Sequence, residues 1–103
     1  MVTVTVLYPR TDDVAFDMDY YKGSHFDLLR ERLGDHLKRD EIHEVVDGPY
    51  VAYCQMYFDS MEDFDGPMAE HGAEIMGDVA NYTNVQPVML VSNTDFPVSV
   101  ETE

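Results

Sequence analysis

The chain is poor in several things a protein can be built around. It has one cysteine, Cys54, in 103 residues, which excludes an internal disulfide and any metal site assembled from several thiolates. Tryptophan is absent, and only 6 residues are Lys or Arg against 21 Asp or Glu, for a formal net charge of -15. A surface that negative repels phosphate backbones and anionic headgroups, so the expected partners include no nucleic acid and no membrane. No apolar run approaches the roughly 20 residues of a spanning helix, and the opening "MVTVTVLY" carries neither a basic region nor a cleavage site. A cytoplasmic protein is the expectation. A Gly-rich phosphate loop, a nucleophile elbow and a dinucleotide fingerprint are also missing, which leaves a nicotinamide or flavin cofactor without support.

What is present argues for a packed globule. Apolar residues make up 45% and aromatics 12% of the chain, enough to oppose the disorder that high charge alone would favour. The length suits one domain with a modest core. The acids are spread through every segment and only Lys22 and Lys38 are lysines, a balance expected of a halophilic protein in a salt-rich cytoplasm, where screening keeps acidic surfaces soluble.

Six elements follow from periodicity and turn signals. "VTVTVLY", residues 2 to 8, alternates with period two up to Pro9 and reads as a strand. Residues 18 to 33 read as a helix, with Asp17 as its cap, Asp19 favouring its dipole and Gly34 closing it. "RDEIHEVVDGP" and "YVAYCQMYF" make a hairpin around Asp47 and Gly48. Ser60 with Asp63 resembles a capping box for a second helix reaching about Gly77, which Gly66 and Pro67 are expected to kink or divide. A last strand follows Asn81 and carries Pro87, a residue confined to an edge or bulge. The order β-α-β-β-α-β predicts a ferredoxin-like α+β fold, a four-stranded antiparallel sheet with two helices on one face. Residues 50 to 58 are apolar on both faces, and an antiparallel sheet with a solvated face should alternate. A second copy covering that face, hence a homodimer, is the expectation.

Two histidines stand out. Met18, Tyr21, His25, Leu28, Leu29 and Leu33 share one helical arc, and on the second helix Phe64, Met68, His71 and Ile75 do the same. Each helix is thus expected to aim an imidazole at the sheet, defining an apolar pocket with few polar groups, as small-ligand sites usually have. The plain alternative for each histidine is a hydrogen-bonded core residue. Metal ligation is poorly supported, since Asp27 and Glu74 project away from these faces and the first strand offers no carboxylate. A single histidine could still hold a haem. Cys54, in an apolar strand, reads as an inert buried thiol. Asn81, Tyr82 and Thr83 read either as turn chemistry or, for Tyr82, as a hydroxyl at the pocket mouth.

"FDMDYYKGSHFDLL", "YFDSMEDF" and "HGAEIMGDVANYTNVQPV" resemble the EthD family, small proteins associated with ether degradation, over about residues 1 to 92. The resemblance implies a dimeric α+β barrel, a pocket near the first-helix histidine, and no tightly bound cofactor. By position it points to Tyr20, Tyr21, His25, His71, Asn81 and Tyr82. Phe26 and Asp27 stand where the family favours an apolar residue and then proline. With the residue pattern, this gives His25, Tyr21 and His71 as candidate catalytic residues and Tyr20, Met68, Asn81 and Tyr82 as ligand-binding ones. The ligand expected is a small apolar, oxygenated or aromatic molecule, handled either by a cofactor-independent enzyme or by a binding module serving an oxygenase system. The domain is expected over residues 1 to 93, with 94 to 103 an acidic extension able to exchange with the dimer partner.

Overall fold

A computed structural model of the chain describes residues 1–94; the expected exchange of the C-terminal extension lies outside these residues. Strand β1 (Val2–Pro9) is followed by a first helix in three continuous parts: α1 (Met18–Tyr20), a π-helical turn (Tyr21–His25) and α2 (Phe26–Leu33). The hairpin strands β2 (Arg39–Glu44) and β3 (Tyr50–Phe58) precede α3 (Met61–Gly77), and β4 (Val88–Asn93) is the last element among the described residues. The sheet is antiparallel in the order β2-β3-β1-β4, the split βαβ arrangement that the element order predicts.

Period-two alternation decides the two faces of the sheet. Val4, Tyr8, Ala52, Cys54, Met56 and Phe58 are buried beneath the helices with Tyr21, Phe26, Leu29, Leu33, Phe64 and Ile75. The opposite face carries Leu7, Val51, Tyr53, Tyr57 and Leu90, and no segment among the described residues covers it. β4 is an edge strand, and Val88, Met89, Leu90 and Val91 are each about half exposed. Pro87 lies immediately before it, where its missing N–H costs no ladder bond.

Local chemistry explains most boundaries. The Asp17 carboxylate accepts from the Tyr20 backbone N–H at 3.1 Å, and Gly34 closes α2 at φ +56°, a conformation that favours glycine. Two expectations need correction. Ser60 is the N-cap of α3, but its hydroxyl donates to the Asp63 carboxylate at 3.2 Å and makes no bond to a backbone N–H, so there is no capping box. Pro67 does not divide α3, which runs unbroken through it with the ring buried against the core; apolar burial outweighs the lost hydrogen bond.

Candidate functional site

The π-helical turn sets the site. The Phe26 N–H reaches back to the Tyr21 carbonyl, five residues earlier, across Gly23 and Ser24. Such turns insert one residue into a helix and recur at functional sites. Here Tyr21 and His25 both point inward, their rings stacked at 5.8 Å and 17°, and both are buried.

The carboxylate partner of His25 comes from beyond α3. Asp78 follows the helix directly, and a tight turn over Val79–Asn81 brings Tyr82 back toward the first helix. The segment is anchored there by the Asp17 N–H donating to the Tyr82 carbonyl at 2.8 Å and by the Phe16–Thr83 bridge. His25 Nδ1 lies 2.9 Å from Asp78 Oδ2, and His25 Nε2 lies 3.3 Å from the Tyr82 hydroxyl. The Tyr82 hydroxyl is 2.6 Å from that of Tyr8. Asp78 Oδ1 accepts from the Tyr20 hydroxyl at 2.7 Å and from the Asn81 amide at 2.8 Å.

The partners fix the proton positions. A carboxylate only accepts, so Nδ1 of His25 carries the hydrogen and Nε2 accepts from Tyr82. Burial lowers the His25 pKa below its ordinary 6.5, and the Asp78 carboxylate only partly opposes this, so the ring is neutral at pH 7. Burial pushes Asp78 upward, but hydrogen bonds from Asn81, His25 and Tyr20 hold it below the usual carboxylate range. Tyr8 is pushed up to about 12 by burial, against the bond to Tyr82. Tyr21 and Tyr82 are also pushed up, by burial first and then by their neighbours. All three phenols are therefore neutral donors at physiological pH. Cys54 is buried and pushed up to about 11, which keeps it an unreactive thiol.

This network backs onto a cavity of about 190 Å³ between the helices and the sheet, lined at its polar end by Tyr8, Tyr21 and His25 and elsewhere by side chains such as Met56, Phe64 and Met68. Among the described residues, its wall contains no Lys, Arg, Asp or Glu. A dry apolar cavity of roughly 150 Å³ is enough to admit benzene.

Of the residues singled out in the sequence, the structure brings His25, Tyr21 and Met68 to the cavity wall. Tyr82 lies behind that wall, joining His25 to Tyr8. Tyr20 and Asn81 hold Asp78 from the solvent side rather than touching the cavity. His71 requires correction: it does not face His25. It lines a shallow surface cleft with Arg32, His36 and Glu70, its Nε2 3.7 Å from Glu70. α3 turns Phe64, Pro67 and Ile75 toward the core, which leaves His71 at the margin of the buried face. His36 and His43 are likewise outside the site, His36 bonded to Asp63 at 2.8 Å and His43 stacked on Tyr53 at 4.4 Å.

Sequence reasoning missed Asp78 and Tyr8. Asp78 looks like an ordinary acid at a helix end. The one signal that could have pointed to Tyr8 is its phase with Val4 and Val6, which puts a hydroxyl on an otherwise apolar face. Among the described residues, no three His, Cys, Asp or Glu side chains gather into a metal site.

The fold and site define a class, the ferredoxin-like α+β proteins with a pocket between helices and sheet. An EthD-like protein from Ralstonia eutropha is 36% identical, with 95% of each chain covered and a TM-score of 0.88. The chain belongs to the EthD-like family. An ethyl tert-butyl ether (EthD) family protein from Bacillus halodurans shares the fold at 19% identity, covering 90% of this chain and 97% of that one, with a TM-score of 0.62. SnoaB, a cofactor-independent oxygenase from Streptomyces nogalater, shares it at 11% identity over 93% and 96% of the two chains, with a TM-score of 0.64. No protein-family model matches the chain, and no curated protein matches it in sequence.

Proposed function

We propose that the protein binds a small apolar, oxygenated or aromatic molecule in the cavity beside His25 and removes a proton from it, with His25 as the base. The observation that carries this reading is the Asp78–His25 pair, with the ring buried and the carboxylate 14% exposed, set against a cavity wall that is uncharged among the described residues. A carboxylate on Nδ1 fixes the tautomer and stabilises the imidazolium that forms when Nε2 takes a proton, the logic of histidine bases generally. Proton removal from an activated carbon opens isomerisation, dehydration or cofactor-independent oxidation, and the fold shared with SnoaB, itself a cofactor-independent oxygenase, supports the last by analogy only.

A second reading is a binding or delivery module for an oxygenase system. What favours it is that both His25 nitrogens already have partners. Replacing His25 with alanine separates the two. Loss of turnover with ligand affinity retained supports a base, and an unchanged rate on any turned-over substrate refutes it.

We also propose a homodimer formed through the open face of the sheet. Val51, Tyr53, Tyr57, Leu7 and Leu90 give that face an apolar character that an uncovered antiparallel sheet would not keep. Sedimentation of the wild type as a dimer, and of Tyr53→Glu as a monomer, supports it; a monomeric wild type rules it out.

A further inference from the structure

The cavity wall beside His25 contains two hydroxyls of opposite sense. His25 Nε2 accepts the Tyr82 proton, so the Tyr82 oxygen is left to accept, and the 2.6 Å contact is a bond donated by Tyr8. The proton of Tyr8 is thereby committed inward, and toward the cavity its oxygen offers only lone pairs. Tyr21 is fully buried in the same wall, and its hydroxyl makes no hydrogen bond. The Cys54 thiol and the Tyr8 hydroxyl lie close enough to influence it both as side-chain hydrogen-bonding neighbours and electrostatically, but neither contact reaches full hydrogen-bond geometry. A buried hydroxyl without a partner is uncommon and calls for an occupant with an acceptor atom.

We propose that Tyr8 is the catalytic residue that takes the proton from the bound molecule, relaying its own proton through Tyr82 to His25, while Tyr21 donates to the oxygen on which charge develops. The substrate class is a neutral carbonyl compound about the size of one substituted ring, with an acidic C–H beside the carbonyl. This rests on the reading of His25 as a base and adds the route by which the proton reaches it. The balance closes without a co-reactant. The substrate C–H bond breaks, and an O–H bond forms at Tyr8 as Tyr8 gives its own hydrogen to the Tyr82 oxygen. Tyr82 gives its hydrogen to His25 Nε2. The C–H electron pair becomes an enolate, its oxygen held by Tyr21, and the imidazolium is held by Asp78.

Three features support the assignment. Both nitrogens of His25 are occupied, so a direct attack by the ring would need the Tyr82 bond to break first. A relay never leaves a phenolate behind, in keeping with how hard burial makes Tyr8 and Tyr82 to ionise. Among the described residues the cavity wall holds no Lys or Arg, and Asp78 lies behind it, which favours a neutral molecule over a carboxylate or phosphate.

The test uses phenylacetone as an enolisable probe and propylbenzene as its hydrocarbon match. Loss of the benzylic proton signal in D2O measures proton removal, and ligand-induced shifts measure binding. The wild type should exchange the ketone faster than buffer, and His25→Ala should lose that acceleration. Tyr8→Phe and Tyr82→Phe should each slow exchange by about 100-fold or more while still binding the ketone, the scale of a lost general acid–base group. Tyr21→Phe should weaken the ketone by about tenfold and leave propylbenzene unchanged, the scale of one net hydrogen bond. Two phenol variants guard against one misfolding. Loss of exchange in His25→Ala with wild-type rates in both Tyr8→Phe and Tyr82→Phe would overturn the relay and leave the base reading standing. Wild type without exchange, whether or not the ketone binds, overturns both. Equal weakening of ketone and hydrocarbon in Tyr21→Phe overturns the donor role.

Discussion

His25 and His71 occupy matching positions in the sequence pattern, each in phase with the apolar residues of an amphipathic helix, yet the molecule uses them differently. His25 is 3% exposed, bonded at both nitrogens and stacked against Tyr21. His71 sits in a solvated cleft beside Arg32, His36 and Glu70. What separates them is what other parts of the chain deliver. The π-helical turn carries Tyr21 and His25 together on the buried face, and the turn after α3 supplies Asp78 and Tyr82. Among the described residues, nothing comparable reaches His71. Periodicity tells which face of a helix a residue occupies; it does not tell whether partners converge there.

The sharpest way to break this contrast is to delete each ring. His25→Ala should abolish any turnover while the ligand still binds, and His71→Ala should leave both binding and rate at wild-type level, read by ligand titration and rate. A comparable loss in both variants would mean the two histidines act together after all.

Stability separates them next. Asp78→Ala leaves the buried Nδ1–H of His25 without an acceptor and should cost about 2 kcal/mol, or about 8 to 16 °C in Tm for a domain this size. His71→Ala should stay within about 0.5 kcal/mol, as surface substitutions do. Calorimetry on the two variants checks the difference.

The effect of pH follows from the direction of the shifts. His25 has its pKa lowered in the folded protein, so its contribution to stability is complete above pH 6.5 and is lost as pH falls from there through the folded value. Asp78 acts with the same sign further down, from 3.8 through its lowered value. Any activity that uses neutral His25 should therefore persist at pH values where a free imidazole is already protonated. An activity that falls with a midpoint above 6.5 would contradict the assignment.

Salt should give the smallest effect at the site and a visible one elsewhere. With a net charge of -15, the folded surface repels itself, so Tm should rise from low to molar salt. The titration of His25 should hardly move, because its partner Asp78 is only 14% exposed. Insensitivity of Tm to salt would remove the halophilic reading without touching the site.

The fold was largely legible in the sequence because its signals are local. Alternating Val and Thr made β1, Asp17 and Gly34 bounded the first helix, Asp47 and Gly48 turned the hairpin, and Pro87 marked an edge. His25, Tyr21 and Met68 were legible for the same reason. Asp78 and Tyr8 were not, because their meaning depends on contacts with residues 53 and 74 positions away in the chain. The π-helical turn has no dependable sequence signature beyond the Gly23–Ser24 pair, and the failure of Ser60 to form a capping box came from its hydroxyl preferring a carboxylate over the backbone.

The most direct test of the central claim is an assigned NMR titration of the four imidazoles with phenylacetone. Binding in the cavity should shift the His25 ring resonances saturably and leave those of His36, His43 and His71 in place. Shifts centred on His71 and His36, with His25 unmoved, would place the ligand in the surface cleft and contradict the account.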